Sequence, residues 1–75
     1  MNFEEMVIGV IKGMQRAGHD VELKNIPIKV VYDCLNKRIQ DNMEAQVLVL
    51  IQYKTFLSEN KINENTRLSE ISELI

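Results

Sequence analysis

The sequence predicts an all-α fold: a small four-helix bundle-like domain formed by residues 1–75 as a single domain. Three observations predict it. Apolar residues recur at helical spacing along most of the chain, and the links between the periodic segments are short. The stretch Met43–Leu57 also runs on without Gly, Pro or Asn for longer than a typical strand. The predicted helices span about 3–17, 27–40, 43–59 and 66–75. The alternative is an α+β fold with a hairpin from 28–34 and 46–53, because both segments are rich in β-branched residues.

The first helix is predicted from an amphipathic pattern with the spacing i, i+3, i+4, i+7. Asn2 is suited to the N-cap, and Gly18 to a left-handed stop at the other end. The apolar residues of the pattern are Phe3, Met6, Val7, Val10, Ile11, Met14 and Ala17.

Two glycines lie inside this helix, off its apolar stripe. Gly9 and Gly13 are four residues apart and are bordered by Ile8 and Lys12, so these four residues form a flat strip that a partner could approach closely. Alternatively, a well-packed helix simply tolerates the two glycines, at a cost of about 1 kcal/mol each relative to alanine.

Residues 19–26 are predicted to form a connection, after which Pro27 takes the first position of the second helix, with Asn25 near its start. Lys37 and Arg38 fall in the last turns, where positive charge is favourable. The apolar face of this helix consists of Ile28, Val31, Tyr32, Leu35 and Ile39.

The last helix is predicted to follow a polar link, with Asn65 or Thr66 as its cap. Its apolar side consists of Leu68, Ile71, Leu74 and Ile75. We expect these terminal apolar residues to be docked on the body of the domain or on a partner.

The third predicted helix contains the longest apolar run of the chain, from Val47 to Ile51. A helix that is apolar on every side is expected to be buried. One side is expected to carry Met43, Leu50, Tyr53 and Leu57, extended by Val49 and Phe56, with Leu48 and Ile51 roughly opposite. A chain of this size has little material to cover both sides, so Val47, Leu48 and Ile51 are predicted to form a partner surface.

Composition indicates an ordinary globular protein, with 45% hydrophobic and 27% charged residues. The single Cys34 excludes an internal disulfide and favours a reducing, cytoplasmic setting. The apolar run is too short to cross a bilayer, so no membrane association is expected. A net charge of −2 argues against the strong positive field of a general phosphate binder.

The residues that could carry chemistry are few. His19 is the only histidine and Cys34 the only cysteine, which is too few soft ligands for a zinc site. Cys34 is predicted in the middle of a helix among apolar neighbours, where a thiol is usually inert. Gly9 and Gly13 lack the lysine and hydroxyl residue of a phosphate-binding loop. We therefore expect no catalysis, no metal and no cofactor.

The predicted function is a small non-catalytic protein-interaction module: an adaptor, inhibitor or regulatory subunit that acts through an exposed apolar surface. Its partner is expected to be another protein, a second copy of the chain, or both, with a two-fold homodimer as the simplest arrangement. One alternative is a dimeric DNA-binding transcriptional regulator that uses Lys24, Lys29, Lys37 and Arg38 against phosphates. Another is an oligomeric protein that binds a small ligand between its protomers.

Overall fold

The computed structural model describes residues 2–75, which form five helices and no strands. The predicted all-α class is therefore confirmed. The helices are α1 (Phe3–Arg16), α2 (Asp20–Leu23), α3 (Ile28–Arg38), α4 (Met43–Glu59) and α5 (Leu68–Ser72). The alternative hairpin from 28–34 and 46–53 is wrong, because both segments lie within helices, α3 and α4.

The ends of α1 are formed by the residues that the sequence suggests. The Asn2 side chain accepts a hydrogen bond from the Glu4 N–H at 2.9 Å. At the other end Gly18 adopts a φ of 80°, a left-handed conformation that glycine tolerates at little cost. The chain then turns back, and the His19 N–H donates to the Met14 carbonyl at 2.8 Å.

The segment after α1 is not a plain connection. One helical turn, α2, runs over Asp20–Leu23, which corrects the prediction for residues 19–26. Leu23 is buried and anchors the turn in the core, while Asp20 and Glu22 place negative charge in its first turn. Four residues are too few to show a helical period, so this element is set by packing.

The segments before α3 and α5 pair with each other. The Ile28 N–H donates to the Thr66 carbonyl at 2.8 Å, and the Leu68 N–H donates to the Ile26 carbonyl at 2.9 Å. These bonds frame an isolated antiparallel β-bridge between residues 27 and 67. They hold two segments that are distant in sequence side by side. Pro27 is accordingly the N-cap of α3, and the helix begins at Ile28, one residue later than predicted.

Helix α5 is shorter than the predicted 66–75. Its N-cap is Arg67, whose backbone N–H donates to the Glu70 carboxylate at 3.0 Å. The helix ends at Ser72, and Leu74 and Ile75 are exposed. Of the two expected arrangements, docking of these residues on the body of the domain is therefore contradicted, and docking on a partner stays a prediction.

All five helices contribute to one core. The predicted apolar faces of α1 and α3 supply more than half of it. The buried residues are Phe3, Val7, Ile11, Leu23, Ile28, Val31, Leu35, Tyr53, Phe56, Leu68 and Ile71. In the part of the chain that the structure describes, no helix has the length and apolar character to cross a membrane.

Candidate interaction surface on helix α4

The inner side of α4 is fixed by aromatic packing. The Phe3 ring meets Tyr53 edge-on with ring centroids 5.2 Å apart and meets Phe56 at 5.8 Å. The Tyr32 ring of α3 stacks on Tyr53 at 4.3 Å, with 11° between the ring planes. Such pairs are worth about 0.5–1.5 kcal/mol each beyond the area they bury. They attach α4 to α1 and to α3.

A polar contact supports the same junction. The Gln52 side-chain oxygen accepts a hydrogen bond from the Phe3 N–H at 3.0 Å. This N–H belongs to the first turn of α1 and has no partner within its own helix. The start of α1 is therefore tied to the middle of α4 by both a hydrogen bond and ring contacts.

The outer side of α4 is exposed and aliphatic. Tyr53 and Phe56 turn inward, and the chain itself does not cover the opposite side, where Leu48 and Ile51 are exposed. Met43 and Leu50, predicted on the inner side, are on the outer one. We call the exposed set the α4 patch: Met43, Val47, Leu48, Leu50 and Ile51, with 79%, 57%, 53%, 37% and 57% of their surface exposed.

Polar groups lie before and after the segment Val47–Ile51 of α4. At the N-terminal end the Asn42 side chain caps α4 by accepting from the Ala45 N–H at 3.1 Å. Glu44 is exposed in the first turn, and Lys54 is exposed beyond the last patch residue. Between these two charges, every exposed residue of α4 is aliphatic.

The glycine strip of α1 is also open. Gly9 and Gly13 are exposed, and a Cβ added to either would meet nothing within 4 Å. Lys12 is exposed as well, whereas Ile8 is half-buried. The strip is therefore accessible, but it offers little apolar surface for a contact.

The four basic residues predicted for nucleic-acid contacts are all exposed: Lys24, Lys29, Lys37 and Arg38. Lys29 and Arg38 are nine residues apart on α3, which places them on opposite sides of the helix. Asp33 lies four residues from both Lys29 and Lys37, on their side of α3. The four residues therefore do not share one face of the molecule.

An apolar groove between α1 and α3 was not anticipated from the sequence. Its volume is about 210 Å³, and Arg38 is its only charged lining residue. The sequence marks these positions as apolar helix faces, but whether two such faces close on each other depends on the separation of the helices. The lining residues are Met6, Val10, Met14, Ile26, Val30, Val31, Cys34, Leu35, Arg38 and Leu68.

The side chains that could take part in chemistry do not form a common site. The exposed His19 Nδ1 lies 3.5 Å from a Glu22 carboxylate oxygen, while the exposed Cys34 lies in the α1–α3 groove. The Tyr53 hydroxyl is buried without a hydrogen-bond partner among the described residues. Burial raises the pKa of Tyr53, and the nearby carboxylates of Glu64 and Asp33 raise it further. Tyr53 is thus neutral and held in the core.

Comparison with protein-family models, curated proteins and solved structures gave no match to this chain. In residues 2–75, no three His, Cys, Asp or Glu side chains are grouped so that they could hold a metal ion.

Proposed function

We propose that this chain is a small non-catalytic protein-interaction module, an adaptor, inhibitor or regulatory subunit, that acts through the α4 patch and self-associates through it. The observation that carries the proposal is the division of α4 into two sides. Tyr53 and Phe56 complete the core on one side, and five aliphatic residues remain exposed on the other.

The size of the α4 patch supports this reading. Its five side chains expose on the order of 500 Å² of apolar surface, which is the scale of patch that marks contact sites on soluble proteins. Single exposed apolar residues are ordinary, but here five of them lie within about two and a half turns of one helix. Removing such a surface from water is favourable, and a partner helix is the simplest cover.

The α4 patch makes little contribution to the fold of the single chain. Val47, Leu48 and Ile51 keep more than half of their surface exposed, whereas the ring contacts that attach α4 to Phe3 are made by Tyr53 and Phe56. Polar residues at these exposed positions would form the helix equally well, and they are the usual residues on the outer side of a surface helix. An aliphatic outer side is therefore better explained by contact than by stability.

Light scattering at micromolar to sub-millimolar concentration tests the proposal. We expect the unmodified chain to self-associate, and Leu48→Asp or Ile51→Asp to abolish association while the helical circular-dichroism signal is retained. A buried charge in an apolar contact is expected to cost several kcal/mol, enough to remove a dimer of micromolar affinity.

The matched control is Val21→Asp, which places the same charge at another exposed apolar residue. Val21 lies on α2 and has 68% of its surface exposed. We expect this variant to associate like the unmodified chain. A chain that stays monomeric throughout, or one that loses association equally with Val21→Asp, would contradict the proposal.

A further inference from the structure

Four exposed residues of α4 have a spacing that is the same in both directions along the helix. Glu44, Val47, Ile51 and Lys54 follow one another with spacings of three, four and three residues. These are the spacings at which helix positions fall on one seam. Reversing the helix therefore superposes Val47 on Ile51 and Glu44 on Lys54, about a centre at the level of Val49.

We propose that a second copy of the chain covers the α4 patch as an antiparallel, two-fold α4–α4 pair centred on Val49. This inference rests on the proposed function, since it uses the same surface. In this register Val47 packs against the partner's Ile51, and Ile51 packs against the partner's Val47. Leu48 and Leu50 flank the centre on either side, so each approaches its own symmetry mate. The middle of the interface is wholly aliphatic.

Charge complementarity selects the antiparallel direction. Each Glu44 comes beside the partner's Lys54, and the two-fold axis produces this pair twice. A parallel pair in register would instead bring glutamate to glutamate and lysine to lysine, and such like-charge contacts are unfavourable. Glu44 and Lys54 therefore select the direction and the register of the pair.

The available area suits a modest dimer. A standard interface buries ~800 Å² on each partner, and the apolar patch supplies more than half of that. Exposed polar residues around the seam, such as Thr55 and Ser58, add the remainder as a rim. All residues of the proposed contact lie on one side of α4, so no other helix is needed to form it.

Site-specific disulfide formation tests the direction. The background is Cys34→Ser, because the native thiol is exposed and would cross-link on its own. Glu44→Cys and Lys54→Cys chains are oxidised separately and as an equal mixture. We expect the mixture to give the mixed disulfide dimer and each chain alone to give little. In the antiparallel pair two copies of residue 44 lie ten residues apart along the axis, about 15 Å, which a disulfide cannot span.

Exchange of the charges tests the register by a second route. Glu44→Lys should weaken dimerisation roughly tenfold, because two attractive pairs become repulsive, and Lys54→Glu in addition should restore it. Ready cross-linking of Glu44→Cys with itself, or no response to the charge exchange, would overturn the antiparallel register.

These failures are distinguishable from a failure of the proposed function. If Leu48→Asp abolishes the dimer but Glu44→Lys leaves it unchanged, the α4 patch is the contact surface and the antiparallel register is wrong. A chain that remains monomeric in the Cys34→Ser background and in its unmodified form rejects both.

Discussion

Helices α1 and α4 pack against each other, yet their outer sides are opposite in character. The outer side of α1 carries glycines and charged residues such as Lys12, whereas that of α4 carries Val47, Leu48 and Ile51. The apolar pattern of α1 is therefore explained by the fold of one chain, since its apolar residues lie in the core or pack against it. The pattern of α4 is explained only in part, because one of its two apolar sides is left largely exposed. The difference separates apolar residues that make the fold from those that are available for contact.

The largest expected effect tests this separation directly. Phe3→Ala should lower the free energy of unfolding by about 3–5 kcal/mol, because the Phe3 ring is fully buried against Tyr53 and Phe56. Leu48→Ala, on the outer side of α4, should change it by less than about 0.5 kcal/mol when the chain is monomeric. Urea unfolding followed by circular dichroism at low concentration measures both. Similar losses for the two variants would show that the outer side of α4 also holds the fold.

A second, smaller effect concerns the one unsatisfied group on the inner side of α4. Tyr53→Phe should raise the free energy of unfolding by about 1–2 kcal/mol, because it removes a buried hydroxyl that has no hydrogen-bond partner. Tyr32→Phe is the control: it keeps the stacked ring on a half-buried residue and should leave stability nearly unchanged.

The unmodified chain and Tyr53→Phe should also differ in how their free energy of unfolding depends on pH. Burial raises the pKa of Tyr53 in the folded state above its ordinary value near 10, so the folded chain holds this proton more tightly than the unfolded chain does. Its contribution to stability is complete below that ordinary value and is lost as the pH rises through the folded-state pKa. We expect unfolding curves above pH 10 to show a steeper loss for the unmodified chain than for Tyr53→Phe. An equal loss of stability in the two chains above pH 10 would show that the Tyr53 hydroxyl is exposed to water.

The long helices could be predicted from the sequence because their signals are local. Apolar periodicity and capping residues place α1, α3 and α4 within two residues of their observed ends. The turn at α2 and the short α5 could not be placed in the same way. They depend on Leu23 entering the core and on the pairing between the segments around Ile28 and Thr66, which are distant in sequence.

The direction in which α4 faces does not follow from the spacing of its apolar residues. A helix that is apolar all round has no dominant side, so spacing alone put Met43 and Leu50 inward. The aromatic residues decide the direction instead, because Tyr53 and Phe56 fill the space against Phe3 and no aliphatic residue of α4 has that volume. The exposure of Val47, Leu48 and Ile51 was expected from the shortage of covering material. The groove between α1 and α3 was not, since its opening depends on the distance between two packed faces.

The smallest expected effect sharpens the contrast between the two outer sides. Gly9→Ala should raise the free energy of unfolding by about 0.5–1 kcal/mol, because alanine favours the helix interior and the added Cβ meets nothing within 4 Å. Gly18→Ala is the matched control and should be destabilising, because Gly18 has a φ of 80°. If α1 faces only water, Gly9→Ala leaves self-association unchanged in light scattering. If Gly9→Ala stabilises the fold but abolishes self-association, the glycine strip of α1 is a second contact surface. The outer sides of α1 and α4 would then no longer differ in function.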